Sequence, residues 1–199
     1  MTGGNGDGSY SFIQPGNSMT ISVTFVCTRD KYCPIWPYTD ASPTNWYHDG
    51  VHYCIENGIM NGYGNYIFGP GNTLSRAMLA QILYNSEGRP RVTGGSPFTD
   101  VPSVVWYTDA VVWAETNGVV TGYGNGKFSP DDPITREQLG AMLYRYEKNQ
   151  GGGFTGNWMF QLNFSDTADL SSWEYEVMCR CNMKGIVVGK GNDILDPSW

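Results

Sequence analysis

Residues 118–130 read GVVTGYGNGKFSP, and residues 58–70 read GIMNGYGNYIFGP. A shift of 60 positions, as from 58 to 118, aligns these two segments. The same shift also pairs Trp46 with Trp106, Asp49 with Asp109 and Arg76 with Arg136. Agreement at so many fixed positions is not produced by chance, and it identifies an internal repeat.

A third, incomplete copy follows about 67 positions after the second. Its tyrosine position holds Lys190, the aromatic before proline becomes Leu195, and the chain stops at Trp199 before a third arginine. We therefore expect a truncated third repeat and predict no ligand-binding residue in it. The residues that keep the spacings of Trp106, Gly118, Gly122 and Pro130 are Trp173, Gly185, Gly189 and Pro197.

Each copy is predicted to fold as helix, glycine loop, helix. Gly58, Gly118 and Gly185, each followed by an apolar residue, have the pattern of a glycine C-cap. Thr135 is predicted to cap the second helix of repeat 2, with Gln138 closing a capping box. Ser75 is predicted to cap the matching helix, where Met78 cannot close a box. The glycines of the loops are expected to occupy tight turns that need positive φ.

The residues before the repeats have a different period. Met19, Ile21, Val23 and Phe25 alternate with polar residues, which is typical of a half-buried strand. Tyr10 and Phe12 alternate ahead of a turn at 15–17, so a β-hairpin is expected, as the remnant of an upstream β domain.

Composition excludes several classes of function. The 199-residue chain has 12 Lys and Arg and 19 Asp and Glu, which gives a net charge of −7. This charge argues against non-specific electrostatic binding to nucleic acid. The sequence contains no apolar run long enough to span a membrane, so membrane insertion is not expected.

The five cysteines are expected to form one or two disulfides with a leftover thiol, or to stay as buried thiols. A zinc cluster is disfavoured because no pair has CxxC spacing, so we expect no metal site.

The motifs FTDV at 98–101, GVV-x-GY at 118–123, G-x-F-x-P at 126–130 and ITRE at 134–137 resemble the S-layer homology (SLH) module of Gram-positive surface proteins. The resemblance implies a mainly α fold in which tandem helix–loop–helix repeats pack as a pseudo-threefold unit. The expected divisions are a hairpin remnant at 1–30, repeat 1 at 36–88, repeat 2 at 96–148 and a truncated repeat 3 at 162–199.

The same resemblance implies function. Family members hold their protein non-covalently on secondary cell-wall polysaccharide, often through a pyruvylated sugar, in grooves between adjacent repeats. It implies an extracellular location at the cell wall or S-layer, no catalysis and no cofactor.

The chemistry of Arg76 and Arg136 supports an anionic ligand independently. Each follows a capping hydroxyl at a helix start, where the macrodipole disfavours a cation by up to about 1 kcal/mol. Free N–H groups and a bidentate guanidinium at that place suit a carboxylate, such as a pyruvate ketal. The alternative is that each arginine pairs with a nearby Asp40, Asp49, Asp100 or Asp109.

Aromatic residues add candidate contacts for sugars. Tyr63 and Tyr123 lie in the glycine loops. For these two residues the sequence leaves open whether the ring faces a groove. For Trp46, Trp106 and Trp173 core packing is the favoured interpretation, with stacking on sugars as the alternative. The predicted ligand-binding set is Arg76, Arg136, Tyr63, Tyr123, Asp49, Asp109, Trp46 and Trp106.

Two other functions stay open. His48 and His52 flank Asp49 in the manner of a zinc protease helix, but Asp49 recurs as Asp109 without the histidines, which disfavours a metal-based hydrolase. A carboxylate-based hydrolase would need Asp49, Asp109 and Asp166 to converge. The remaining alternative is a protein-binding or self-assembling module, a homo-oligomer formed through exposed Met183, Ile186 and Val187 in the truncated repeat.

Overall fold

The computed structural model describes residues 27–154, 160–170 and 172–198, and it confirms a mainly α fold. The predicted hairpin lies outside the described residues. No β-sheet is found within these ranges, where the strand-like pairings are two isolated bridges. The elements are α1 (His48–Glu56), α2 (Arg76–Ser86), α3 (Thr108–Thr116), α4 (Arg136–Asn149), a 3-10 turn (Thr167–Asp169) and α5 (Ser172–Met183).

Consecutive repeats pack through their helices. The second helix of one repeat lies against the first helix of the next, α2 on α3 and α4 on α5. Gly140 of α4 allows a close approach of α5, since a Cβ there would lie 3.2 Å from Val177 and 3.3 Å from Met178 and Cys181. Tandem packing is thus explained by helix contacts, whereas the pseudo-threefold arrangement and the repeat boundaries stay predictions.

The second helices begin at the predicted capping residues. The hydroxyl of Ser75 accepts the N–H of Met78, and that of Thr135 accepts the N–H of Gln138, both at 3.3 Å. The prediction that Met78 cannot close a capping box in repeat 1 was wrong, because the Met78 sulfur accepts the N–H of Ser75 at 3.5 Å. In repeat 2 the Gln138 side chain turns away from Thr135 to contact Arg76 and Tyr123.

The first helices end at the predicted glycines. Gly58, Gly118 and Gly185 have φ between 65° and 68°, and each N–H returns to a carbonyl three residues earlier. At Gly122 the reason for glycine differs from the expected positive φ. A Cβ there would lie 2.6 Å from the carbonyl oxygen of Lys127 and from the ring of Phe98. Close packing across the loop therefore excludes any side chain at Gly122.

The surface of the third copy is partly apolar. Met183 and Ile186 are exposed as predicted, and Val188 is exposed with them. Val187 was expected at this surface and is buried instead, at 3% exposure. Self-association through this surface stays a prediction. Among the described helices, none has the length and apolar character that crossing a membrane requires.

The α4–α5 junction contains a pair of carboxyl groups. Burial, and then the charge of Glu174 and a hydrogen bond to it, raise the pKa of Glu137 from 4.5 to about 7. Glu174 is itself buried, at 7% exposure. Because Glu137 binds more protons in the folded protein than in the unfolded chain in this window, its contribution to the free energy of unfolding falls as pH rises from 4.5 to about 7.

We expect Glu137→Gln to flatten this pH dependence, since a neutral amide no longer titrates against Glu174. Urea unfolding midpoints across the window would measure the slope for each variant. Glu115→Gln, at an exposed glutamate, is the control and should keep the wild-type slope. An unchanged slope in Glu137→Gln would contradict the coupling of the two carboxyl groups.

Candidate functional site

Arg76 lies at the junction of repeats 1 and 2 and is only 5% exposed. Its Nε donates to the carbonyl of Phe128 at 2.9 Å, and Nη2 donates to the carbonyl of Thr121 at 3.2 Å. A third donor, Nη1, reaches the amide oxygen of Gln138 at 3.4 Å. The α2 arginine therefore ties repeat 1 to the glycine loop of repeat 2.

Arg136 makes the same connection one repeat later. Its Nε donates to the carbonyl of Leu195 at 3.1 Å and Nη2 to that of Val188. Leu195 and Val188 stand in repeat 3 where Phe128 and Thr121 stand in repeat 2. Backbone carbonyls therefore offset the cost of a cation at the helix start.

Among the described residues, the two arginines do not form the ion pairs that were the alternative to an anionic ligand. Neither Arg76 nor Arg136 forms a salt bridge with Asp40, Asp49, Asp100 or Asp109 within the described ranges. The idea that free helix-start N–H groups receive the ligand was also wrong for α2. The N–H groups of Arg76 and Ala77 donate to the carbonyls of Asp132 and Pro130, so the next repeat already uses them.

The aspartate at the head of each copy clamps the end of its glycine loop. Asp100 accepts the N–H groups of Phe128 and Ser129, both at 2.8 Å. Burial opposes ionisation of Asp100, but these N–H groups outweigh it and lower its pKa. Asp40 clamps repeat 1 and Asp166 clamps repeat 3 in the same way, and hydrogen bonds from the clamped N–H groups lower their pKa too.

A groove of about 400 Å³ opens beside Arg76. The guanidinium of Arg76 lies 4.7 Å from the ring centre of Tyr123, whose hydroxyl accepts from Gln138 at 3.2 Å. Arg145, from the same face of α4 as Gln138, supplies a second guanidinium. The residues lining this groove are Arg76, Val120, Thr121, Gly122, Tyr123, Gln138, Ala141, Met142 and Arg145, and none of them is acidic.

The electrostatics of this groove favour an anion. Burial lowers the pKa of both Arg76 and Arg145, and for Arg76 the charges of Asp132 and Asp100 oppose this lowering while the charge of Arg145 adds to it. The two cations therefore repel each other in a partly desolvated space. A negative group bound there would relieve the repulsion and accept charge-assisted hydrogen bonds from the planar guanidinium groups. We call this space the two-arginine groove.

Repeat 1 has a counterpart of this groove with different residues at the positions that match α4. The positions of Gln138 and Arg145 are taken by Met78 and Asn85, and these line a larger cleft of about 1130 Å³. Tyr63, half exposed, lies in this cleft with its hydroxyl 3.7 Å from the Met78 sulfur. Tyr63 and Tyr123 thus both face a groove, but only Tyr123 lies beside Arg76.

The two tryptophans are at the surface. Trp46 is 94% exposed and Trp106 is 59% exposed, and both line the larger cleft. The favoured interpretation of core packing was therefore wrong for these two residues. The side chain of Trp173 lies outside the described part of the chain.

The remaining predicted residues do not gather around one ligand. Asp109 lines the larger cleft, whereas the 89% exposed Asp49 side chain contacts His48 and Arg29. Asp166 is used in its loop clamp, so three carboxylates do not converge as a hydrolase would need. Arg136 contacts repeat 3, away from the two-arginine groove.

Sequence reasoning missed Arg145 and Gln138 as groove residues. A signal was available, because positions 138, 142 and 145 recur at helical spacing on one face of α4. All five cysteines are free thiols in the structure, so the alternative of free thiols describes them and the favoured disulfides are not formed; Cys27 and Cys54 are only partly buried.

Comparison with known proteins adds family information. The family model of the S-layer homology domain matches residues 37–78 and 97–139. Relatives include an S-layer protein, sap, of Bacillus anthracis, 29% identical over 106 residues, which are 53% of this chain and 13% of that protein. The surface-layer 125 kDa protein of Lysinibacillus sphaericus is 26% identical over 153 residues, 75% of this chain and 12% of that protein.

Enzymes also share this segment. The amylopullulanase of Thermoanaerobacterium thermosulfurigenes is 28% identical over 160 residues, 77% of this chain and 8% of the enzyme. The chain thus corresponds to 8–13% of the length of these three relatives. Matches of this kind indicate a cell-surface, cell-wall-associated location.

Proposed function

We propose that this chain, whose residues 37–78 and 97–139 match the family model of the S-layer homology domain, anchors its protein to the cell wall without a covalent bond. The proposed ligand is an anionic secondary cell-wall polysaccharide, with a carboxylate-bearing sugar such as a pyruvylated one in the two-arginine groove. The role of the chain is adhesion, and any catalysis belongs to other parts of a longer protein.

The observation that carries this proposal is the charge of the groove. Two guanidinium groups meet there with no carboxylate in the lining, although the whole chain has a net charge of −7. An acidic protein repels an acidic polymer at long range, so attraction must come from a local cationic pocket. A volume of about 400 Å³ also falls within the usual size of small-ligand sites.

The parts of the groove have complementary roles in binding a sugar. The guanidinium of Arg145 would receive the carboxylate, while Arg76 shares its charge and stays held by the carbonyls of repeat 2. The half-exposed ring of Tyr123 offers a flat surface to the apolar face of a sugar ring. In the larger cleft, Trp46 and Trp106 offer similar surfaces to neighbouring sugars of the same polymer.

Co-sedimentation with purified cell walls tests this function. We expect the chain to pellet with intact walls and to stay in solution once the non-peptidoglycan polymer has been extracted from them, because the carboxylates leave with that polymer. Walls mock-treated without extraction are the control and should retain the chain. Undiminished binding to extracted walls would contradict the proposal, since the ligand would then be peptidoglycan or a wall protein.

A further inference from the structure

Four side chains that play no part in the two-arginine groove converge at the front of repeat 1. The sulfur of Cys33 lies 3.5 Å from Nε2 of His48 and 3.8 Å from Nδ1 of His52. Cys27 joins them, and the four ligand atoms all lie within 4.8 Å of one another. We call Cys27, Cys33, His48 and His52 the Cys₂His₂ cluster.

This spacing suits a tetrahedral metal ion. Zinc bonds of about 2.3 Å to sulfur and about 2.1 Å to nitrogen would separate neighbouring ligand atoms by about 3.4–3.8 Å. The two measured sulfur–nitrogen distances already fall in that range. Two thiolates with two imidazoles form a common zinc donor set. We infer that the Cys₂His₂ cluster binds Zn²⁺, with the two thiols releasing their protons as the metal enters.

The surroundings of the cluster orient its ligands as zinc sites require. While Nε2 of His48 points at Cys33, its Nδ1 lies 2.6 Å from the carboxylate of Asp49. While Nδ1 of His52 points at Cys33, its Nε2 lies 3.5 Å from the carboxylate of Glu56. Both imidazoles therefore keep one nitrogen on a carboxylate and present the other to the cluster, the arrangement that fixes tautomer and ring direction in zinc sites.

The backbone around the two cysteines also favours metal binding. The backbone N–H of Arg29 donates to the sulfur of Cys27 at 3.3 Å, which would stabilise a thiolate. Arg29 has a φ of 59°, so the chain turns sharply between the two cysteines. Cys33 and His48 are each only 3% exposed. This closed set of four protein ligands is typical of a structural zinc site rather than a catalytic one.

A need for such a site follows from the packing of α1. The first helices of the later copies, α3 and α5, are held by α2 and α4, but among the described helices α1 has no comparable partner. His48 and His52 stand at the positions of Thr108 and Val112, which are buried residues of α3. Zinc would bond α1 to the segment 27–33 and so replace the missing helix contact.

The sequence did not reveal the cluster, because its cysteines lack CxxC spacing and the pair His48 and His52 resembled a zinc protease helix on its own. Cys27 and Cys33 are separated by five residues, and the histidines come 15 and 19 residues after Cys33. Only the fold brings them together, so this inference replaces the expectation of no metal site.

Metal content and spectroscopy of the whole chain test the inference. Protein purified with a reducing agent and ZnCl₂, then dialysed, should contain one Zn²⁺ per chain. Replacement by Co²⁺ should give the intense visible bands of a tetrahedral site and a thiolate-to-metal charge-transfer band. Zn²⁺ should also raise the melting temperature, since it binds only the folded arrangement of ligands.

Variants chosen from repeat 2 keep the test independent of folding. The double substitution His48→Thr and His52→Val installs the residues that α3 carries at these positions, and Cys33→Ser removes one sulfur. Both should lose the stoichiometric metal, the cobalt bands and the thermal shift. Cys54→Ser, at a half-buried cysteine outside the cluster, should retain all three.

Three outcomes would overturn the inference. One is zinc content well below one ion per chain, and another is equal metal binding by the His48→Thr, His52→Val protein. The third is a Cys27–Cys33 disulfide in protein kept under reducing agent, detected as a loss of two thiols and of two hydrogens in the mass. None of these results bears on wall binding, so the zinc site and the proposed function are tested separately.

Discussion

Replacing Arg76 with alanine is expected to lower the free energy of unfolding by about 2–4 kcal/mol. Arg76 is 5% exposed, and its guanidinium donates to the carbonyls of Phe128 and Thr121. Removing it leaves two acceptors of repeat 2 without their charged donor, and each such loss costs about 1–3 kcal/mol. The interface between repeats 1 and 2 should therefore weaken most.

Urea unfolding followed by circular dichroism measures this loss. Arg76→Lys should be intermediate, because an ammonium keeps the charge but cannot span both carbonyls as the guanidinium fork does. Arg91→Ala removes an exposed arginine and should change the unfolding free energy by no more than about 0.5 kcal/mol. If Arg76→Ala were as stable as Arg91→Ala, the arginine would not connect the repeats.

The repeat architecture was predictable because it depends on local chemistry. The glycine C-caps at Gly58, Gly118 and Gly185 and the hydroxyl caps at Ser75 and Thr135 are set by residues within one helical turn. Leu139, Met142 and Leu143 also recur at helical spacing on α4, and in the structure Met142 is buried in a hydrophobic cluster against which the two leucines pack. Such signals need no knowledge of the neighbouring repeat.

The partners of Arg76 and Arg136 were not predictable in the same way. Sequence reasoning offered an anionic ligand or a carboxylate, because both are visible as charges. The observed partners are backbone carbonyls, which every residue carries and which no residue type reveals. Only the packing of one repeat on the next decides that Phe128 and Leu195 present their carbonyls to these arginines.

The exposed tryptophans were mispredicted for a related reason. A tryptophan at the same phase of each helix suggests a core position, yet Trp46 and Trp106 line an open cleft. Periodicity specifies which side of a helix a residue occupies, but what covers that side depends on contacts distant in sequence.

Replacing Arg145 tests ligand binding more directly than replacing Arg76, because Arg76 also connects the two repeats. Arg145 donates from Nη1 to the hydroxyl of Thr121 at 3.5 Å, whereas Arg76 donates to the backbone carbonyls of Thr121 and Phe128. The Arg145 side chain lines the two-arginine groove, and burial lowers its pKa. Arg145→Ala should therefore remove a charge-assisted bond to the ligand, worth about 1–3 kcal/mol, while the repeats stay together.

The decisive measurement is the affinity of wild type, Arg145→Ala and Arg91→Ala for the same purified cell walls, with unfolding curves for each protein. We predict that Arg145→Ala binds roughly ten- to hundredfold more weakly than wild type, that Arg91→Ala binds as wild type does, and that all three are folded under the conditions of the binding assay. Equal affinity of Arg145→Ala and wild type would contradict an anionic ligand in the two-arginine groove.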